Sequence, residues 1–309
     1  MDSAIALGKR IYDVRKGREA RRCLIFILRY WLNRARMQRL ATYFHSTPLL
    51  SEVAASYPFV YEQPTRAFFY HRSTFDERIR IVEEHMDFLT RRLSPDAVRG
   101  LYQGKAYALW ESGFEEKPLR LVLSFDPGQR KEGLLSVVLY WDTAALYQMI
   151  FWLAKDTEGA WALWIGAMQG PNADGAKDVI KKLTKACHGF RTKNLILYAT
   201  QAAGRAMGVD RIYAVTNEGY YANNHVRLDR KLKTNFSDFW QEAGGQRTED
   251  PRFDELPLTE RRKTMEEVPT RKRAVYRRRF ALMDEIDTAI AREVSALMRA
   301  GGGAVAPVP

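Results

Sequence analysis

The stretch from Gly166 to Ala199, GAMQGPNADGAKDVIKKLTKACHGFRTKNLILYA, sets a cysteine beside a histidine and follows them with Gly189, Arg191 and Lys193. A thiol next to an imidazole suggests a nucleophile and its base. Neighbours on a helix, however, point about 100° apart, and nucleophilic pairs are normally assembled from distant positions. Cys187 therefore reads as a small buried residue. His188 ends a helix, where it either caps carbonyls or reaches into a cleft as a base. Gly189, Arg191 and Lys193 precede a helix start, where free backbone amides and the positive end of the dipole attract phosphate and a glycine allows close approach. Gln169 and Gly170, which end an apolar run, join them as candidate cofactor-binding residues. The loop is neither a Gly-x-Gly-x-x-Gly fingerprint nor a Walker loop, so a solvated basic turn is the alternative.

A second group follows a short apolar strand. In NEGYYANNH, Asn217, Glu218, Tyr220, Tyr221, Asn223, Asn224 and His225 crowd polar and titratable groups at a strand's C-terminal end, the place where open α/β sheets keep their ligands. Glu218 and His225 join His188 as candidate bases, Tyr220 and Tyr221 are candidate acids, and Asn217, Asn223 and Asn224 are candidate substrate ligands. The chain lacks His-Glu-x-x-His, an EF-hand loop, Gly-x-Ser-x-Gly and the kinase signatures. Neither a metal site nor a serine hydrolase is indicated.

These residues need a scaffold. After Gly104 come KAYALWES, LRLVLSF, GLLSVVLYW, ALYQMIFWLA and AWALWIGAM, rich in β-branched, leucine and aromatic residues. Their separators are short enough for hairpins and too short for parallel crossovers, which predicts an antiparallel meander. Helices over roughly 177–187 and 193–207 follow, the second with a small-residue face and Gly208 placed as a left-handed stop. RIYAVTN then reads as a strand parallel to Trp161–Met168, a βαβ unit. The fold class is α/β (α+β), with a mixed, mostly antiparallel sheet flanked by N- and C-terminal basic helices. The organisation is an N-terminal basic helical region (1–100), an α/β domain (101–257), a C-terminal basic helical region (258–300) broken near Pro269, and a flexible tail (301–309).

The chain has 309 residues, 49 Lys and Arg against 37 acidic residues, and a net charge of +12. That balance favours anionic partners: phosphate, nucleic acid or acidic lipid. No RNA- or DNA-binding signature accompanies it. From Ala4 to Phe44 the pattern predicts a basic amphipathic helix, which either lies on an acidic membrane surface with Tyr30 and Trp31 at headgroup level or packs on its own protein with a solvated basic face. CLIFILRYWL (Cys23–Leu32) is about half the length of a membrane span, so no transmembrane segment is expected. Two cysteines far apart fit a reducing cytoplasm, at most peripheral to the inner membrane.

IGAMQGP, IKKLTKACHGFRTKNLIL, IYAVTN, FWQEAGG and RKRAVYRRRFALMDEI together resemble the VirK/YbjX family of bacterial proteins over about 44–290. The resemblance implies a Gram-negative cytoplasmic protein associated with virulence, envelope integrity and tolerance of cationic antimicrobial peptides. A looser resemblance is to the acetyltransferase (GNAT) fold, in which a loop before a helix grips the pyrophosphate of coenzyme A. By position Gly189, Arg191 and Lys193 match that cradle and Tyr220 or Tyr221 the acid that protonates the leaving thiolate, although Gly189-Phe190-Arg191 replaces that family's Gly-x-Gly/Ala. The resemblance implies acyl or aminoacyl transfer from acyl-coenzyme A or another donor to an envelope component. A non-enzymatic protein held by its basic helices on membrane or partner, and an RNA-binding factor, are the alternatives.

Overall fold

The structure, a computed structural model, describes residues 3–171, 175–224 and 235–299. The chain opens with six helices: α1 (Ala4–Ile11), α2 (Gly17–Leu32), α3 (Arg34–Phe44), α4 (Pro48–Ser56), α5 (Phe75–Arg92) and α6 (Pro95–Tyr102). The single helix expected over Ala4–Phe44 is thus three. It breaks at Tyr12, an extended C-cap, and at Asn33, whose side chain donates to the Arg29 carbonyl (3.0 Å). Gly8 lets α1 and α2 cross closely, because a Cβ there would press on the Cys23 sulfur. A capping box starts α5: Thr74 N–H donates to Glu77 (2.6 Å) and Glu77 N–H donates to the Thr74 hydroxyl (3.2 Å).

The meander follows: β1 (Tyr107–Phe114), β2 (Lys117–Ser124), β3 (Leu135–Trp141), β4 (Ala144–Lys155) and β5 (Trp161–Gln169), each antiparallel to the next. Helices α7 (Ala176–Ala186) and α8 (Thr192–Met207) then lead to β6 (Arg211–Val215), which pairs parallel to β5. Gly208 ends α8 at φ 79°, the left-handed stop that its type predicts. The chain finishes with α9 (Phe236–Glu242), β7 (Gln246–Arg247), β8 (Phe253–Leu256) and α10 (Arg273–Leu297), giving the strand order β1-β2-β3-β4-β5-β6-β8-β7. The expected α+β class with a mixed, mostly antiparallel sheet is present.

From Met149 to Ala154 every residue of β4 is buried, so both of its faces are covered; α5 and α8 are the helices that pack on it. His85 of α5 is fully buried, and its Nδ1 accepts the Leu153 amide (3.0 Å) while Nε2 faces the Tyr102 hydroxyl (3.1 Å). Burial pushes this imidazole down to about 3, and it stays neutral. Beside it Glu84 accepts the Lys155 amide (2.9 Å). These bonds satisfy β4 where β3 has ended.

A second buried group fastens the helices to the sheet. Glu62, 1% exposed, accepts from the Tyr12 hydroxyl (2.6 Å), from Arg130 Nε (2.8 Å) and from Arg66 (3.4 Å). Arg130 belongs to the β2–β3 connection, and its guanidinium also covers the Phe59 ring at 4.3 Å.

Two glycines bring that connection down onto the sheet. A Cβ at Gly133 would press on the Phe151 carbonyl of β4, and one at Gly166 in β5 would overlap the Glu132 carbonyl. Gly166→Ala is therefore expected to cost about 3 kcal/mol, the upper part of the overpacking range, in urea unfolding. Gly113→Ala, with nothing within 4 Å of its added methyl, should change stability little.

Candidate functional site

Strands β5 and β6 pair only from Ala162↔Arg211 to Ile165↔Ala214. Beyond that point β6 ends at Val215, whereas β5 runs on to Gln169 against β4. The chain entering β3 crosses the face of β5 here, with the Glu132 backbone on Gly166. The Glu132 side chain, 5% exposed, lies between the two strand ends. Gln169 Nε2 donates to its Oε2 (2.6 Å) and the Tyr220 hydroxyl donates to its Oε1 (2.8 Å). Burial pushes the Glu132 carboxyl above the ordinary range even though both bonds favour its charged form. The Tyr220 phenol is pushed far above its usual value, first by burial and then by the adjacent Glu132 charge. It stays protonated and acts as a donor.

Tyr220 is delivered by a tight turn. The Thr216 hydroxyl accepts from Gly219 N–H (3.1 Å) and donates to the Pro251 carbonyl (2.7 Å), and a Cβ at Gly219 would overlap the Arg252 carbonyl. The Gly219 carbonyl accepts the His71 amide (2.8 Å), and Tyr70 bridges to Tyr220 in antiparallel fashion. Tyr221 and Phe236 meet the Tyr220 ring edge-on at 5.0 and 5.6 Å.

The other residues singled out in this loop shape it. Asn217 accepts the Phe236 amide (2.8 Å) and donates to Asn235 (2.5 Å), fixing the start of α9. Asn223 donates to the carbonyls of Asn217 (2.9 Å) and Glu218 (3.0 Å), and the Glu218 side chain is exposed. Asn224 ends a short 3₁₀ turn, Tyr221–Asn224. His225 lies outside the described residues.

The anion loop has partners of its own. His188 (φ 54°) and Gly189 (φ 75°) adopt left-handed conformations that turn the chain from α7 to α8. The His188 carbonyl accepts from Arg279 of α10 at 3.2 and 3.0 Å, and Arg279 lies against Gly189. Arg191 and Lys193 both reach Glu242 of α9, at 2.9 and 3.4 Å. Cys187 is buried, and its thiol is pushed up to about 11 by desolvation, which keeps it protonated. Gly170 lies under the Tyr147 ring, and the Tyr147 side chain also faces Thr192, the first residue of α8. One β4 tyrosine thus touches both the end of β5 and the start of the anion loop's helix.

The structure therefore joins Gln169 and Tyr220 through Glu132, a residue that sequence reasoning passed over inside the polar turn DPGQRKEG. Its only signal there is the Gly133 that follows it. His188, Arg191 and Lys193 form no bond to that trio among the described residues. No group of three or more His, Cys, Asp or Glu among the described residues could hold a metal ion.

A scan of protein families matches residues 15–292 to "Protein of unknown function (DUF535)", and the chain belongs to that family. A relative called "Uncharacterized protein YbjX" from Escherichia coli is 32% identical over 43% of this chain and 41% of its own length, in keeping with the VirK/YbjX resemblance. An uncharacterized protein of Haemophilus influenzae is 26% identical over 90% of this chain and 91% of its own. "Membrane protein LapB" of Mannheimia haemolytica is 24% identical over 61% of this chain and 80% of its own. No solved structure matches the chain.

The folded protein holds a proton on Glu132 over an interval that starts at the ordinary value of 4.5 and runs up to the raised one, whereas the unfolded chain has released it. The group's contribution is full below that interval and is lost as pH rises through it. Replacing Glu132 by Gln keeps the shape without the charge. The melting temperature of the variant minus that of the native chain is therefore expected to grow as pH rises above the ordinary value of 4.5. A difference that does not change with pH would contradict the burial account.

Proposed function

We propose that the protein transfers an acyl or aminoacyl group from a thioester or similar anionic donor to an amine or hydroxyl of an envelope component. One observation carries this reading: a buried carboxyl, raised out of its ordinary range, is hydrogen-bonded to a neutral tyrosine just past the end of the parallel β5–β6 pairing. Perturbed groups of this kind are suited to proton transfer near neutral pH.

In the reaction, the nucleophile's lone pair attacks the acyl carbon and the carbonyl becomes a tetrahedral oxyanion. Glu132, as carboxylate, takes the nucleophile's proton. Collapse of the intermediate breaks the carbon–sulfur bond, and Tyr220 gives its hydroxyl proton to the departing thiolate. Glu132 then returns its proton to Tyr220 across the bond they share, and both groups are restored. Gln169 keeps the carboxyl oriented throughout. The donor's anionic portion, acyl-coenzyme A or another acyl carrier, would draw Arg191 and Lys193 from Glu242 beside Gly189. An envelope acceptor suits the virulence and peptide-tolerance association that the VirK/YbjX resemblance implies, because an added aminoacyl group offsets negative surface charge.

The test is calorimetry with acetyl- and long-chain acyl-coenzyme A, followed by an assay of thiol release with amine and hydroxyl acceptors. Native protein is expected to bind, Arg191→Ala to bind more weakly, and Tyr220→Phe to bind normally but release thiol ~10²-fold more slowly, as for loss of a general acid. Absence of heat at millimolar donor, with Arg191→Ala equally silent, removes the proposal.

A further inference from the structure

Helix α2 has two apolar faces, and only one of them has a partner. Cys23, Phe26 and Tyr30 are buried against the protein. Leu24, Leu28, Trp31 and Leu32 are 68%, 59%, 55% and 74% exposed, and Ile25 beside them is exposed too. With 3.6 residues per turn, these five fall on one arc of about 120° running along the C-terminal half of the helix. Single exposed apolar side chains are ordinary; a continuous strip on consecutive turns marks an interaction surface.

The charges around the strip identify its partner. Arg18 and Arg21 are exposed on the turns just before Leu24 and on the same side of the helix. Arg34, just past the helix, places its guanidinium 5.4 Å from the Trp31 ring centroid. No carboxylate among the described residues pairs with Arg18, Arg21 or Arg34, although Arg22, Arg36 and Arg39 nearby each have one. Up to residue 44 the chain carries eleven Lys and Arg against three acidic residues. An apolar strip with unpaired arginines at both ends complements a surface that is apolar inside and negative at its rim.

We infer that this face of α2 lies on an anionic phospholipid bilayer, with the helix in the plane of the interface. Leu24, Leu28 and Leu32 reach the boundary with the acyl chains, Trp31 sits at headgroup level, and Arg18, Arg21 and Arg34 meet lipid phosphates. A second copy fits less well, since a two-fold contact through the strip would bring a strongly basic segment against itself. Among the described residues no helix is long and apolar enough to cross a membrane, so the attachment is to one leaflet. The inference is independent of the chemistry at Glu132 and survives its failure.

The experiment is co-sedimentation of the full chain with vesicles of phosphatidylcholine alone or with added phosphatidylglycerol, at low and high salt. The native chain is expected to sediment with the phosphatidylglycerol vesicles and to be released as salt screens the arginines. Leu28→Glu and Trp31→Glu alter exposed positions and are expected to fold, with unchanged circular-dichroism melts, yet to bind at least tenfold more weakly. Leu28→Ser replaces either variant that fails to fold. The double variant Arg18→Ala, Arg21→Ala is expected to lose the preference for phosphatidylglycerol. The proposal is overturned if the native chain stays in the supernatant at low salt or if the strip variants sediment as it does. It is equally overturned if the native chain forms a dimer that Leu28→Glu dissolves while no vesicle binding is seen.

Discussion

The Glu132 carbonyl rests on Gly166, where no side chain fits, and this contact organises the end of the sheet where β5 outlasts β6. Because β5 outlasts β6, its last residues lack a strand neighbour on one side. The chain entering β3 crosses the face of β5 at Gly166 and carries a carboxyl to this end of the sheet. A buried carboxyl needs hydrogen-bond partners, so Gln169 and Tyr220 have fixed positions. Tyr220 can take its position only because the turn before it is pinned to Arg252, Pro251 and His71. Phenol, carboxyl and amide thus come from three separate parts of the chain, and no two of them are close in sequence.

The same connection has a second role. Arg130, two residues before Glu132, bonds to Glu62, which also holds Tyr12 at the end of α1. One short segment therefore faces the helical layer through Arg130 and the candidate site through Glu132. The helical layer in turn presents the exposed strip of α2. A protein seated by α2 on a bilayer would hold its sheet in a fixed relation to that surface, because the α1–α2 pair is tied to the sheet by buried charge as well as by packing. The proposed proton transfer at Glu132 and the proposed bilayer face of α2 would then belong to one body joined through Arg130 and Glu62.

Much of the scaffold is legible in the sequence. The apolar runs after Gly104 are strands because a sheet covered on both faces needs apolar residues at successive positions, and Gly208 marks the end of α8 because the stop requires a left-handed residue. The break of the N-terminal segment into three helices was hidden, since the apolar spacing continues through Tyr12 and Asn33 while the turns there depend on local backbone bonds. Of the site, Gln169 and Tyr220 stand out as polar residues at strand ends. Glu132 does not, because its significance arises from burial by residues 37 and 88 positions away, and a Glu in a turn reads as solvated. The ion pairs of Arg191 and Lys193 with Glu242 are long-range in the same sense, and spacing alone could not show them.

The account rests on Glu132 being a carboxyl that exchanges a proton in a range where ordinary carboxylates are already ionised. Its titration can be followed directly by the side-chain carboxyl carbon resonance of glutamate-labelled protein, assigned by its loss in Glu132→Gln. The account predicts a midpoint displaced above the ordinary value of 4.5 and moved further by Tyr220→Phe, which removes a bond that favours the charged form. A midpoint at or below that value, unmoved by Tyr220→Phe, would contradict it.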